Sequence, residues 1–202
     1  MKLKSKKQII TGFSLIGILI VLDQITKNIA VLFLKDQPAI PIIKDVFELK
    51  YLENTSAAFG LDPISLLHKW FQFDVFSNNP ELYLNTRMGF FYVITLGVTA
   101  LLIYIYTKIP NTKRFLYMDI VLIFFISGAI GNLIDRICNK YVIDFLYFKL
   151  IDFPIFNVAD IYVTCAAFAM MALGLFYYKD EDIDAIFPSK KKEGSSYENR
   201  KF

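Results

Sequence analysis

The chain has 202 residues, is 55% hydrophobic with mean hydropathy +0.45, and carries 20 Phe and 12 Tyr, more apolar and aromatic surface than a soluble domain of this length usually holds. The net charge of +3 is too small, and the basic residues too confined to blocks near the ends, to imply a nucleic-acid partner. With two cysteines, one in a predicted span and one in a predicted loop, neither a disulfide framework nor a cysteine-based metal site is expected.

A membrane-crossing helix needs roughly 20 largely apolar residues, and four stretches qualify: about 9–33, 88–107, 115–134 and 155–178. The first follows Lys2, Lys4, Lys6 and Lys7, a pattern shared with secretory signal peptides. No small-residue cleavage site follows it and apolar character resumes at Ile29–Leu34, so a retained helix is expected. The loop 35–87 predicts a half-buried strand where Phe47, Leu49 and Tyr51 alternate with Glu48 and Lys50, ended by the turn-like Asn54-Thr55-Ser56. Residues 63–76 mix apolar, aromatic and charged side chains, as suits either a segment in the membrane interface or a surface loop with buried aromatics. The second outer loop is 135–154, and the charged tail 179–202 reads as disordered. The predicted fold class is thus an all-α membrane protein, one polytopic domain over 1–178, with four transmembrane helices and a small extracytoplasmic β-containing loop domain. Lys and Arg number 13 in the 40 residues of one side and 8 in the 73 of the other, which predicts cytoplasmic termini and outward-facing larger loops.

Acids in hydrocarbon cost several kcal/mol unless paired or hydrated, so intramembrane carboxylates are functional candidates. At about 1.5 Å per residue, Asp23 lies roughly 21 Å from the cytoplasmic start of span one, with Lys27 one turn further out. Asp135 closes the outer end of span three, Asp160 lies about 7–8 Å inside the outer end of span four, and Asp144 is in the loop between them. These groups approach one plane near the outer face, with Asn54, Asn132, Arg136 and Asn157 available to hydrogen-bond carboxylates and peptide. Duller roles compete for several of them. Asp23 and Lys27 have i,i+4 spacing for a plain ion pair, Asp135-Arg136 could be a snorkelling helix end, and Asn157 could be a cap. Ser127, Gly128 and Gly131 read as close-packing positions, and Asp152 as a solvated loop charge. Asp144 and Asp160 are the hardest to explain without function.

The lone His68 has no evident Ser or Cys partner, and no HExxH spacing or Gly-rich phosphate loop is present, so no metal or other cofactor is expected. A Ser56–Lys27 dyad remains a minor alternative. Two adjacent carboxylates hold one proton between them, and such a pair can activate water and polarise a carbonyl without a cofactor.

Five ordered blocks bear on the choice: Asp23-Gln24-Ile25-Thr26-Lys27, Asn54-Thr55-Ser56-Ala57-Ala58-Phe59-Gly60, Gly128-Ala129-Ile130-Gly131-Asn132-Leu133-Ile134-Asp135-Arg136, Val142-Ile143-Asp144-Phe145 and Phe156-Asn157-Val158-Ala159-Asp160. Together they resemble the lipoprotein signal peptidase (signal peptidase II) family. The resemblance implies an aspartic endopeptidase of the bacterial cytoplasmic membrane whose dyad is Asp144 and Asp160, with Asp23, Lys27, Asn54, Asn132, Arg136 and Asn157 in support. It also implies substrates that are diacylglyceryl-modified prolipoproteins, cut just before the lipidated cysteine; membrane lipids are the other partners expected of such a chain, and a monomer is the expected state. Two departures from the family pattern are Ser56, where a glycine is usual, and a short stretch between Asp144 and Asp160. The rival classes are an ion or proton transporter, which would spread polar residues through the membrane depth, and a non-catalytic assembly protein, which would tolerate loss of both acids.

Overall fold

The computed structural model describes residues 3–55, 63–71 and 74–186. Among them, four helices are long and apolar enough to cross a membrane: α1 (Lys6–Leu34), α4 (Pro80–Lys108), α5 (Leu116–Asn139, preceded by a 3-10 turn at Lys113–Phe115) and α6 (Val158–Phe176). Buried residues make up 44% of the most apolar stretch of α5 but 17% in each of the others, which makes α5 the central helix; it packs on α1, α4 and α6. Large side chains such as Leu32, Val93, Phe168 and Phe176 are exposed on the outer faces, where lipid is the favourable solvent.

Helices α1, α4 and α5 run beyond their hydropathy windows, whereas α6 is shorter than its window, and the caps supply reasons. Helix α4 starts at Pro80 rather than 88, because Asn79 accepts a hydrogen bond from Leu82 N (3.0 Å) and Pro80 occupies the first turn. Helix α5 passes the predicted end at 134 and stops where Lys140 turns left-handed (φ 66°) and donates to Arg136 O at 3.0 Å. Cys138 therefore lies in a helix, not a loop, and both it and Cys165 are free thiols. Helix α6 starts at Val158 rather than 155, because Asn157 and Asp160 form a capping box.

A three-stranded antiparallel sheet covers one end of the bundle, in the order β1 (Ile40–Ile43), β2 (Phe47–Asn54), β3 (Val142–Tyr147). The strand predicted at 47–51 is the first part of β2. Ile143 and Phe145 of β3 pack with Ala30 and Leu34 of α1, anchoring the sheet to the helices. The β2–β3 register opposes Leu52 to Asp144 and Asn54 to Val142. Two short helices follow β2, α2 (Pro63–Phe71) and α3 (Asp74–Asn78), with His68 packed edge-on to Phe76 at 5.7 Å.

At the opposite end, Lys4 Nζ donates to Tyr106 O (2.6 Å) and Ile109 O (3.2 Å) and pairs with Asp119 at 2.8 Å, satisfying carbonyls at the end of α4. The tail is not wholly irregular. Asp180–Ile186 forms α7, because Asp182 accepts from Lys179 N (2.9 Å) and pairs with Arg114 (2.8 Å); the rest of the tail, and Ser56, lie outside the described residues.

Candidate active site

The polar side chains singled out in the sequence converge where the sheet meets the helices. Lys27 Nζ, on α1, lies 2.9 Å from Asp23 Oδ2 and 3.0 Å from Asp135 Oδ2. Lys27 is 1% exposed, Asp23 0% and Asp135 2%, so this is a buried triad and Asp135 does not snorkel. The i,i+4 pair expected between Asp23 and Lys27 is present, but it is one edge of a larger network. Lys27 also donates to Asn132 Oδ1 (2.9 Å), which leaves Asn132 Nδ2 to donate to Asp160 Oδ1 at 2.8 Å.

Asn157 joins the two acids that the sequence left hardest to explain. Its Oδ1 accepts from Asp160 N (3.0 Å) and its own N–H donates to Asp160 Oδ2 (3.2 Å), so it caps α6 as expected. Its Nδ2 also donates to Asp144 Oδ1 at 2.6 Å and to Asn132 Oδ1 at 3.1 Å. From the facing strand, Asn54 Nδ2 donates to Asp144 Oδ2 at 2.7 Å. Each of the two carboxylates thus receives two N–H donors, consistent with the rule that buried polar groups are paired.

Burial, and then the negative charge of Asp160, push the Asp144 carboxyl up to about 7 despite the hydrogen bonds from Asn54 and Asn157. Near neutral pH it therefore carries its proton for much of the time. Asp144 and Asp160, with Asn54, Asn132 and Arg136, line the polar end of a cleft of about 640 Å³, and residues such as Ile94, Val98, Val163 and Phe153 form its apolar walls. Arg136 lies 5.4 Å from the Phe91 ring centre and donates to Asn132 O at 3.4 Å, while Tyr92 Oη donates to Arg136 O at 2.7 Å.

Close packing is what the helix-five glycines provide. A Cβ on Gly128 would lie 2.6 Å from Ala159 O of α6, and one on Gly131 would lie 2.6 Å from Asp23 Oδ2. Ser127 instead returns its hydroxyl to Ile123 O at 2.7 Å.

Some members of the network are not singled out by sequence reading. Gln24 Nε2 reaches Asp23 Oδ2 at 3.1 Å and Asp135 Oδ1 at 3.0 Å; an amide in an apolar span, next to Asp23, is the available signal. The peptide N–H groups of Ile143 and Ala159 donate to Asp135 and Asp23 at 3.1 and 2.9 Å, and backbone groups leave no trace in a sequence. No group of three or more His, Cys, Asp or Glu among the described residues has a metal-holding arrangement.

Known proteins resemble the chain along most of its length. A family model described as signal peptidase (SPase) II matches residues 15–176. A lipoprotein signal peptidase of Caldanaerobacter subterraneus subsp. tengcongensis is 36% identical over 80% of this chain and 94% of its own. One of Halothermothrix orenii is 38% identical over 79% and 90%, and one of Brevibacillus brevis 36% identical over 73% and 83%. A solved bacterial membrane enzyme shares the fold with a TM-score of 0.65 and 24% identity, covering 89% of this chain and 99% of that one.

Proposed function

Because the chain belongs to the signal peptidase II family, and is thus a multi-pass bacterial membrane protease, we propose that it removes signal peptides from diacylglyceryl-modified prolipoproteins using Asp144 and Asp160 as an aspartic dyad. The observation that carries this reading is the pair itself: two carboxyls tied to one asparagine at the polar end of an apolar-walled cleft, with Asp144 pushed up to about 7. The dyad holds one proton and titrates as a unit. Its ionised member takes a proton from water, the resulting nucleophile attacks the scissile carbonyl carbon, and the protonated member donates to the carbonyl oxygen. Collapse of the tetrahedral species returns a proton to the leaving amine, so the step balances without a metal or cofactor.

The cleft walls suit the rest of such a substrate. Ile94, Val98 and Val163 offer apolar surface to a signal helix or acyl chains, and remote binding of this kind positions a scissile bond. The excess of Lys and Arg on the other side favours a sheet end facing outward, with the cut made before the lipidated cysteine at the outer membrane surface. A transporter is less well supported, since below the polar cluster the described core of Ile16, Leu122, Ile123 and Ile126 is apolar.

The test uses purified protein in detergent with one prolipoprotein prepared with and without its diacylglyceryl group. The modified form is expected to yield a product whose mass begins at the lipidated cysteine, and the unmodified form to stay intact. Equal cleavage of both, or a cut elsewhere, would overturn the substrate assignment.

A further inference from the structure

The two dyad residues are each preceded in the chain by a peptide N–H that a buried carboxylate holds. Ile143 N, one residue before Asp144, donates to Asp135 Oδ2 at 3.1 Å; Ala159 N, one residue before Asp160, donates to Asp23 Oδ1 at 2.9 Å. Asp135 thereby fixes the start of β3 on α5, and Asp23 fixes the start of α6 on α1. The position of one dyad carboxyl relative to the other therefore depends on how Asp23 and Asp135 are held together.

Lys27 is one clamp, at 2.9 and 3.0 Å from the two acids. Gln24 is the other: its Nε2 donates to Asp23 Oδ2 (3.1 Å) and Asp135 Oδ1 (3.0 Å), and lies 3.2 Å from Gly131 O. Two carboxylates around one ammonium repel each other, and a neutral amide bridging them relieves the repulsion without changing the local charge. A second cation there would alter the field at the dyad, and an apolar side chain would leave two acceptor positions without their donor.

On the peptidase reading above, we infer that Gln24 is a positioning residue: its amide cross-links the two carboxylates that hold the backbone before Asp144 and Asp160, and so sets the separation of the dyad. Gln24 is not among the residues lining the cleft. It acts on turnover rather than on substrate affinity. The charged groups facing it are Asp23 and Lys27 on its own helix and Asp135 on α5.

Full-length wild type, Gln24→Met and Gln24→Glu are compared in detergent by steady-state cleavage of a diacylglyceryl-modified prolipoprotein from about pH 5 to about pH 8. Gln24→Met keeps the bulk and loses the donors, and should lower kcat about 10- to 100-fold with KM unchanged. In Gln24→Glu the protonated carboxyl can still donate one hydrogen bond, whereas its ionised form adds a third carboxylate to the cluster. The rate of Gln24→Glu relative to wild type should therefore fall as pH rises. A space-filling role predicts wild-type kcat for Gln24→Met and a pH-independent ratio for Gln24→Glu, and either result overturns the inference. If Gln24→Met does not fold, the Gln24→Glu ratio decides alone. A wild type that does not cleave overturns the peptidase reading and this role with it, whereas a cleaving wild type matched by Gln24→Met overturns only the role of Gln24.

Discussion

Asn157 Nδ2 lies 2.6 Å from Asp144 Oδ1, while the same side chain's Oδ1 accepts the first-turn N–H of Asp160 at 3.0 Å. One asparagine thus starts helix α6 and touches both residues of the proposed dyad. The two roles separate by substitution. Asn157→Ser keeps a capping oxygen and loses the amide, so cleavage should fall at least about 10-fold while the capping contribution, about 1 kcal/mol, is kept. Asn157→Ala should lose both. Thermal melting in detergent beside a cleavage assay reads the difference, and equal melting losses would show that capping is not what Asn157 contributes to stability.

The raised Asp144 carboxyl makes stability depend on pH. Its folded value of about 7 exceeds the ordinary value of 3.8, so the folded state binds this proton more tightly. Below about pH 4 the group is protonated in both states and nothing is lost. As pH rises from about 4 toward about 7, the unfolded chain releases this proton while the folded protein still holds it, so the unfolded state gains on the folded one by about 4 kcal/mol at most. Wild type should therefore lose stability between about pH 4 and about pH 7 more steeply than Asp144→Asn. Parallel melting curves for the two would contradict a raised Asp144.

On the proposed mechanism the same proton governs the reaction. If cleavage needs one proton on the dyad, activity should decline as pH rises above about 7, where Asp144 loses it. Single-turnover rates, with substrate integrity checked at each pH, provide the measurement. A rate that keeps climbing well above that value would be inconsistent with a shared proton.

Lys27 stands between two acids that have almost no access to solvent. Lys27→Met should cost about 3–5 kcal/mol, because it leaves buried carboxylates without their cation. Adding Asp23→Asn to that variant should recover part of the loss. Melting temperatures of the two variants test this, and a double variant no more stable than Lys27→Met would argue against charge as the cause.

Glycines in the helices divide by what surrounds them. Gly131→Ala and Gly128→Ala each place a Cβ 2.6 Å from an oxygen, on Asp23 and Ala159 respectively, and should destabilise by about 1–3 kcal/mol. Gly97→Ala meets nothing within 4 Å and should be neutral or mildly stabilising. Comparable melting temperatures for all three would show that α5 can move away from its neighbours.

Much of this architecture is legible in the sequence because hydropathy reports the membrane directly: the four apolar windows fall on α1, α4, α5 and α6. Boundaries are less legible, since they depend on caps. Polar residues at Glu81, Asn85 and Arg87 dilute the apolar signal, yet Asn79 and Pro80 start the helix ahead of them. Depth arithmetic brings Asp23, Lys27, Asp135 and Asp160 to one level because helical rise is fixed. It does not show that Asp135 is turned inward, which depends on α5 continuing to Asn139. Strand β1 is hidden because Pro41 and a four-residue length give no alternation to read. The braces from Ile143 N to Asp135 and from Ala159 N to Asp23 are backbone contacts made only by the assembled fold.

The proposed cleavage by Asp144 and Asp160 is tested most directly with a diacylglyceryl-modified prolipoprotein and three proteins: wild type, Asp144→Asn and Asp160→Asn, each purified in detergent and shown by melting to be folded. Wild type should cut, while both folded variants should lose at least about three orders of magnitude in rate, as removal of a catalytic group does. Near wild-type cleavage by either folded variant would contradict the dyad.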